Sequence, residues 1–270
     1  MVRKLFKHEF IYYFRTFGLF LPIVLFFAVM TKVFSLFDYD AVIVKIALNS
    51  SIVLLTISCA ALAVIAFVVS IVRFYKNMYT SEGYLTFTLP VTNAQHIFVK
   101  LISAWVCEMC CLLTVLVALC IAIPGEELSS MLKGFSETIR EIGVYIGTAH
   151  LTGYIIEIVA MLLVAPLFAM LLSYACITVG QLAKKNRIIM AVGAYFIYYV
   201  ATQIISTVGI MTIVILGESG ALDGIGQWIE YHPLESIHAG LCIGLVIVAA
   251  ISAVFWFITQ KIMTKKLNLE

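Results

Sequence analysis

Six apolar stretches run along the chain: Phe17–Phe37, Leu48–Phe74, Ile97–Ile123, Val144–Val179, Ile188–Leu216 and His238–Gln260. A helix needs about 20 mostly apolar residues to cross a hydrocarbon layer, so each predicts one membrane span. The fourth exceeds what one crossing requires, and Pro166 is expected to kink it. Ahead of the first stretch, Val2, Leu5, Phe6, Phe10, Tyr13, Phe14 and Phe17 recur at steps of three and four. Arg3, Lys4, Lys7 and Arg15 take the other faces, which predicts an amphipathic helix over 1–16 lying in the membrane interface. The polar stretch 124–143 repeats the pattern with Leu128, Met131, Leu132, Phe135, Ile139 and Ile142. A short helix on the outer surface is predicted there.

Composition turns this pattern into a class. The 270 residues are 63% hydrophobic and 12% charged, with a mean hydropathy of +1.09. A soluble domain carries roughly twice that share of charge and could not hide so much apolar surface. The chain is therefore read as an all-α integral membrane protein, a single transmembrane domain over 1–270. A net charge of +2 gives no reason to expect nucleic acid as a partner. All seven cysteines fall within apolar runs, where thiols behave as small hydrophobes, so no disulfide framework is expected.

Where the charges sit sets the expected orientation. Arg3, Lys4, Lys7, Arg15, Arg73, Lys76, Lys100, Lys184, Lys185, Arg187, Lys261, Lys265 and Lys266 fall on one side, thirteen of the seventeen basic residues. Lys32, Lys45, Lys133 and Arg140 fall on the other. Both termini are expected in the cytoplasm of a bacterial cell, with the chain multi-pass in its cytoplasmic membrane.

The segment between the second and third spans, 75–96, carries the most specific signal. Glu82-Gly83 is expected to break the helix continuing from span two, and Leu89-Pro90-Val91 makes a second break. Thr92-Asn93-Ala94-Gln95 then reads as a capping box that starts span three. The bracket holds Tyr84, Leu85, Phe87 and Leu89 on the cytoplasmic side, where apolar residues ask for a covering surface.

Glu82-Gly83, Leu85, Leu89-Pro90-Val91-Thr92, Ile97 and Lys100 resemble the E-x-G-T-L…L…P-V-S…K segment of ABC type-2 exporter permeases, in the form seen in Gram-positive bacteria. Tyr84 departs from that pattern, which often has Thr, and so does His232 of Tyr231-His232-Pro233-Leu234, where relatives often have Asn-Pro. The resemblance implies six spans and an interfacial N-terminal helix. It also implies a coupling role toward an ATP-binding subunit for Glu82, Gly83, Tyr84, Leu85, Phe87, Leu89 and Pro90. A second permease chain, alike or paralogous, and membrane lipid are the other implied partners. The chain has no Gly-x-x-x-x-Gly-Lys-Ser/Thr phosphate loop, so ATP and Mg are expected in a separate subunit and no cofactor in this one.

Polar residues inside the spans are the candidates for a translocation path. Glu108 in span three and Glu157 in span four either line such a path or are protonated acids bonded to a neighbouring helix. Tyr195, Tyr198, Tyr199, Thr202, Gln203 and Ser206 share one face of span five, which either lines a cavity or bonds other helices. Cys107, Cys110 and Cys111 beside Glu108 have no histidine near in sequence, and His232 and His238 lie off a common face, so no metal site is expected. Two other classes compete with the exporter. A membrane protease would need an intramembrane Glu-Glu pair, and Glu126-Glu127 lies in an outer loop. An ion-coupled secondary transporter would show repeat symmetry, which the sequence lacks.

Overall fold

The computed structural model describes residues 2–37, 42–88, 90–183 and 185–265, and these are helical apart from short connections. Asp38, Asp40, Leu89, Lys184 and Lys266 lie outside the described residues, as does the side chain of Leu85. The chain groups into two compact units, Met1–Arg140 and Glu141–Glu270. Five helices are long and apolar enough to cross a membrane, and a sixth span arises if the first two helices count together. The protein is a multi-pass membrane protein.

The first unit opens with α1 (Val2–Phe17) and α2 (Phe20–Ser35), bent by 40° across Gly18-Leu19. Sixteen residues at 1.5 Å per residue give α2 about 24 Å, short of a roughly 30 Å hydrocarbon core. The expected first span, 17–37, is thus shorter than its apolar stretch, because Phe17 belongs to α1. On α1 the apolar residues divide between two surfaces. Tyr13 and Phe17 are buried, while Phe14 is 78% exposed and Phe10 and Ile11 are also exposed.

Next come α3 (Val42–Tyr79), α4 (Ser81–Phe87) and α5 (Asn93–Ala122). The first and third of these extend the expected spans by several residues at one or both ends. The break after span two lies at Thr80, not at Glu82-Gly83, which falls inside the first turn of α4. Thr80 has extended backbone angles and stops α3, and a helix resumes at Ser81 and runs through Gly83 despite the low helix propensity of glycine. The capping box is present. The Thr92 hydroxyl accepts from the Gln95 amide, and the Gln95 side-chain oxygen accepts from the Thr92 amide. Lys32 at the end of α2 donates to the carbonyl of Ile123 at 2.7 Å, satisfying one of the open carbonyls at the end of α5.

The stretch 124–143 is a helix, α6 (Gly125–Ile146), with Met131, Leu132, Phe135 and Ile142 exposed along it. It ends at Gly147, whose φ of +88° suits a residue without Cβ. The Gly-x-x-x-Gly spacing of Gly143 and Gly147 lies on no single helix, since Gly143 is on α6 and Gly147 sits at the break before α7. Gly240 and Gly244 have no described atom within 4 Å of where a Cβ would stand, so they mark no close helix contact in this chain.

In the second unit, α7 (Thr148–Gly180) is one continuous helix that contains Pro166. It packs on α8 (Arg187–Glu218) and on α10 (Pro233–Lys265), and the short α9 (Asp223–Tyr231) packs on α10. Pro233 opens α10 at the first helical position, where its missing N–H costs nothing. The turn between α7 and α8 depends on Gly180. A Cβ there would stand 2.7 Å from the Ala191 Cβ, and 2.8 Å from the Ala191 nitrogen and the Arg187 carbonyl oxygen. Two of these are backbone atoms and cannot swing away. Gly180→Ala is therefore expected to destabilise the protein by about 1–3 kcal/mol, as overpacking does. A lowered unfolding temperature in detergent checks this.

Candidate functional site

One end of the first unit is organised by a carboxylate that the sequence reading assigned to no role. Glu9 lies one turn before Tyr13 and two before Phe17 on α1, and all three are buried. Only 5% exposed, Glu9 accepts hydrogen bonds at Oε1 from Lys100 Nζ at 2.8 Å and Asn77 Nδ2 at 3.2 Å. Arg73 Nε donates to its Oε2 at 3.3 Å. Burial disfavours the charged carboxylate, but Lys100 and Arg73 together outweigh this and hold the Glu9 carboxyl below its ordinary value. Arg73 continues the network outward, with Nη1 3.7 Å from Glu82 Oε2 and its guanidinium 3.9 Å from the centre of the Tyr12 ring.

Four helices thus meet through one neutral set of charges, with Glu9 on α1, Arg73 on α3, Glu82 on α4 and Lys100 on α5. The signal was present in the sequence. Glu9 is the only acid among the first 37 residues and falls on the Tyr13–Phe17 stripe. Arg73 and Lys100 read there only as markers of orientation, because a span-end cation has that role by default.

Within the bracket, Tyr84 is 55% exposed and Gly83 is buried. Phe87 is half-buried, with its ring edge-on to His96 at 6.1 Å. The expectation that both aromatics face outward holds for Tyr84 alone. Phe87 links α4 to α5 through this ring contact, His96 being the fourth residue of that helix. Pro90 is exposed.

Glu108 is half-buried on α5, and no described residue bonds to it. Cys107 and Cys111 beside it are buried and Cys110 is exposed. Together with Phe10, Tyr13, Phe14, Phe17, Leu21 and Val106 these thiols line a cavity of about 170 Å³.

The stripe on α8 divides. Tyr198 packs edge-on against Phe255 of α10 at 5.4 Å, and the Thr202 hydroxyl donates to the carbonyls of Tyr198 and Tyr199 in its own helix. Tyr195, Gln203 and Ser206 are exposed, and among the described residues neither Gln203 nor Ser206 bonds another helix through its side chain. No residue of α8 is buried.

Glu157 has a specific partner. It is the tenth residue of α7, in the first third of that helix, and its Oε1 is 2.9 Å from His238 Nδ1 on α10. The Cys242 thiol donates to the same oxygen at 3.5 Å. Tyr154 stacks on the His238 ring, 3.9 Å between centres and 7° from parallel, and its hydroxyl donates to the Leu234 carbonyl at 2.7 Å. His238 is the histidine that sequence spacing considered only beside His232. Its true neighbour is 81 residues away. The chain matches no family model, no curated protein and no solved structure.

Proposed function

We propose that the chain is the membrane-spanning permease subunit of an ATP-driven ABC exporter. The observation that carries this reading is the short helix α4, set between two long apolar helices and held there by the Glu9–Arg73–Glu82 network, the Phe87–His96 contact and the capping box at Thr92. A helix so anchored, with Tyr84 facing out, is a rigid tooth suited to receive force from a partner. In this reading the partner is a separate ATP-binding subunit that holds ATP and Mg, and this chain hydrolyses nothing itself.

The basic residues support the same arrangement, with both termini and α4 on the cytoplasmic side of a bacterial cytoplasmic membrane and α1 at its inner surface. A second permease chain, the same or paralogous, would complete the path. The exposed Tyr195, Gln203 and Ser206 on a helix with no buried residue fit such a pairing, since an amide facing lipid tails lacks a hydrogen-bond partner. Glu157 and Glu108 would border the path from α7 and α5. Purification of the full chain from its own membrane in mild detergent tests the reading. An ATP-binding protein is expected to accompany it at one copy per permease chain, and purification without one would refute the assignment.

A further inference from the structure

We propose that the outward face of α1 seats one anionic phospholipid, whose phosphate is held by Arg15 and whose acyl chain enters the cavity between α1 and α5. The inference needs only that the chain is a membrane protein and takes nothing from the exporter reading. Two neighbouring rows along α1 carry it. Arg3, Lys7, Phe10 and Phe14 form one, and Lys4, His8, Ile11 and Arg15 the other, each at steps of four, three and four. All eight residues are exposed.

Charge and apolar surface on one face define the surroundings that suit it. Four cations keep the face out of hydrocarbon, while exposed Phe10, Ile11 and Phe14 gain nothing from bulk water. The headgroup layer accommodates both. Its lipid must be anionic to match the charge. Glu9 is the only acid among the first 37 residues, and it is buried and taken up by Lys100, Arg73 and Asn77. Among the described residues no carboxylate pairs with Arg3, Lys4, Lys7 or Arg15, so the face keeps four positive charges. A zwitterionic headgroup brings its own ammonium and no net charge, whereas an anionic one supplies what the face lacks.

Arg15 is placed to take the phosphate. With Phe10, Ile11, Phe14, Gly18 and Leu19 it lines an open groove at the α1–α2 bend, and among these it alone is charged. A guanidinium can give a phosphate two parallel hydrogen bonds. Phe10 and Phe14 also wall the cavity of about 170 Å³ whose far side is Val106, Cys107, Cys110 and Cys111 of α5, so groove and cavity share those two rings. The cavity falls below the roughly 300–1,000 Å³ of a drug-sized site, which suits a length of acyl chain. A chain lying there would cover Phe14, 78% exposed.

Native mass spectrometry of the full chain, delipidated in neutral detergent and titrated with phosphatidylglycerol, phosphatidylcholine or glycerol phosphate, tests the site. Phosphatidylglycerol is expected to bind about tenfold more tightly than phosphatidylcholine, with no competition from glycerol phosphate. Arg15→Gln should cut the phosphatidylglycerol affinity about fivefold, the loss of one basic side chain at an anionic surface, and leave phosphatidylcholine unchanged. Cys110→Phe, which fills the cavity from an exposed position, should weaken both lipids. Lys185→Gln, in the other unit, should change neither. The two lipids compared on the unmutated protein give an arm that no folding defect of a variant can touch. Equal affinity for them overturns the proposal, as does a preference that survives Arg15→Gln or vanishes in Lys185→Gln. Unaltered binding of both lipids by Cys110→Phe would take the chain out of the cavity and overturn it too. Competition by glycerol phosphate would make this a site for phosphate without lipid. Tighter binding of polyglutamate than of phosphatidylglycerol would make it a surface for acidic protein, and either outcome ends the proposal.

Discussion

Glu9→Ala should unfold well below the temperature of the unmutated protein, with a loss of about 3–5 kcal/mol. The size follows from what the change leaves behind. Lys100 is 4% exposed, and without Glu9 its ammonium loses its 2.8 Å partner while Asn77 and Arg73 lose theirs. A buried charge with no partner is far costlier than a buried pair is beneficial. The same logic supplies the control. Replacing both charges, Glu9→Gln with Lys100→Met, should recover most of the loss, since a neutral pair of similar volume leaves no charge stranded. Thermal unfolding of the three proteins in one detergent checks this. A Glu9→Ala protein within about 0.5 kcal/mol of the unmutated one would show that the cluster does not tie α1 to the bundle.

Acid should act on the same contact. The Glu9 carboxyl is held below its ordinary value of 4.5, so its contribution is complete above that value and disappears as pH falls through the lower folded-state value. Stability lost to Glu9→Ala should therefore shrink at strongly acidic pH.

The second large effect concerns coupling. On the exporter proposal, Tyr84→Asp should leave the chain folded in the membrane yet abolish its hold on an ATP-binding subunit and the stimulation of ATP hydrolysis. Tyr84 is more than half exposed, so the change adds no buried charge in the isolated chain. In a complex the aspartate would be dehydrated without a partner, and covering the apolar ring it replaces is worth about 1.5–3 kcal/mol. Phe87→Asp should lose the same function for a different reason, since the ring that seats α4 on His96 is gone and the bracket itself should loosen. Unfolding temperature separates the two, with Tyr84→Asp near the unmutated value and Phe87→Asp below it. Normal co-purification and ATP turnover in Tyr84→Asp would remove α4 from the coupling contact.

Five of the six expected spans could be read from residue order as long apolar helices because lipid imposes a length. About 20 apolar residues must run together for a helix to cross, so hydropathy alone finds helices such as α8, expected over 188–216 and observed as Arg187–Glu218. The capping box at Thr92 was equally readable, since its donors and acceptors are three residues apart. Local rules even anticipated α6, whose apolar residues recur with the helical period.

Pairing was a different matter. Glu9 meets Arg73, Asn77 and Lys100 across separations of 64, 68 and 91 residues, and Glu157 meets His238 across 81. Such partners are chosen by how each helix is rotated about its axis and how closely it packs, and no local period encodes either quantity. The break at Thr80 belongs with them. Glycine and glutamate at 82–83 look like a helix stop when read alone, but α4 runs through them, held by Phe87 against His96 and by Glu82 near Arg73. Period and length are properties of neighbouring residues and so survive in the linear order. Ion pairs between helices exist only once separate helices have closed on one another, and that closure is the work of the folded unit.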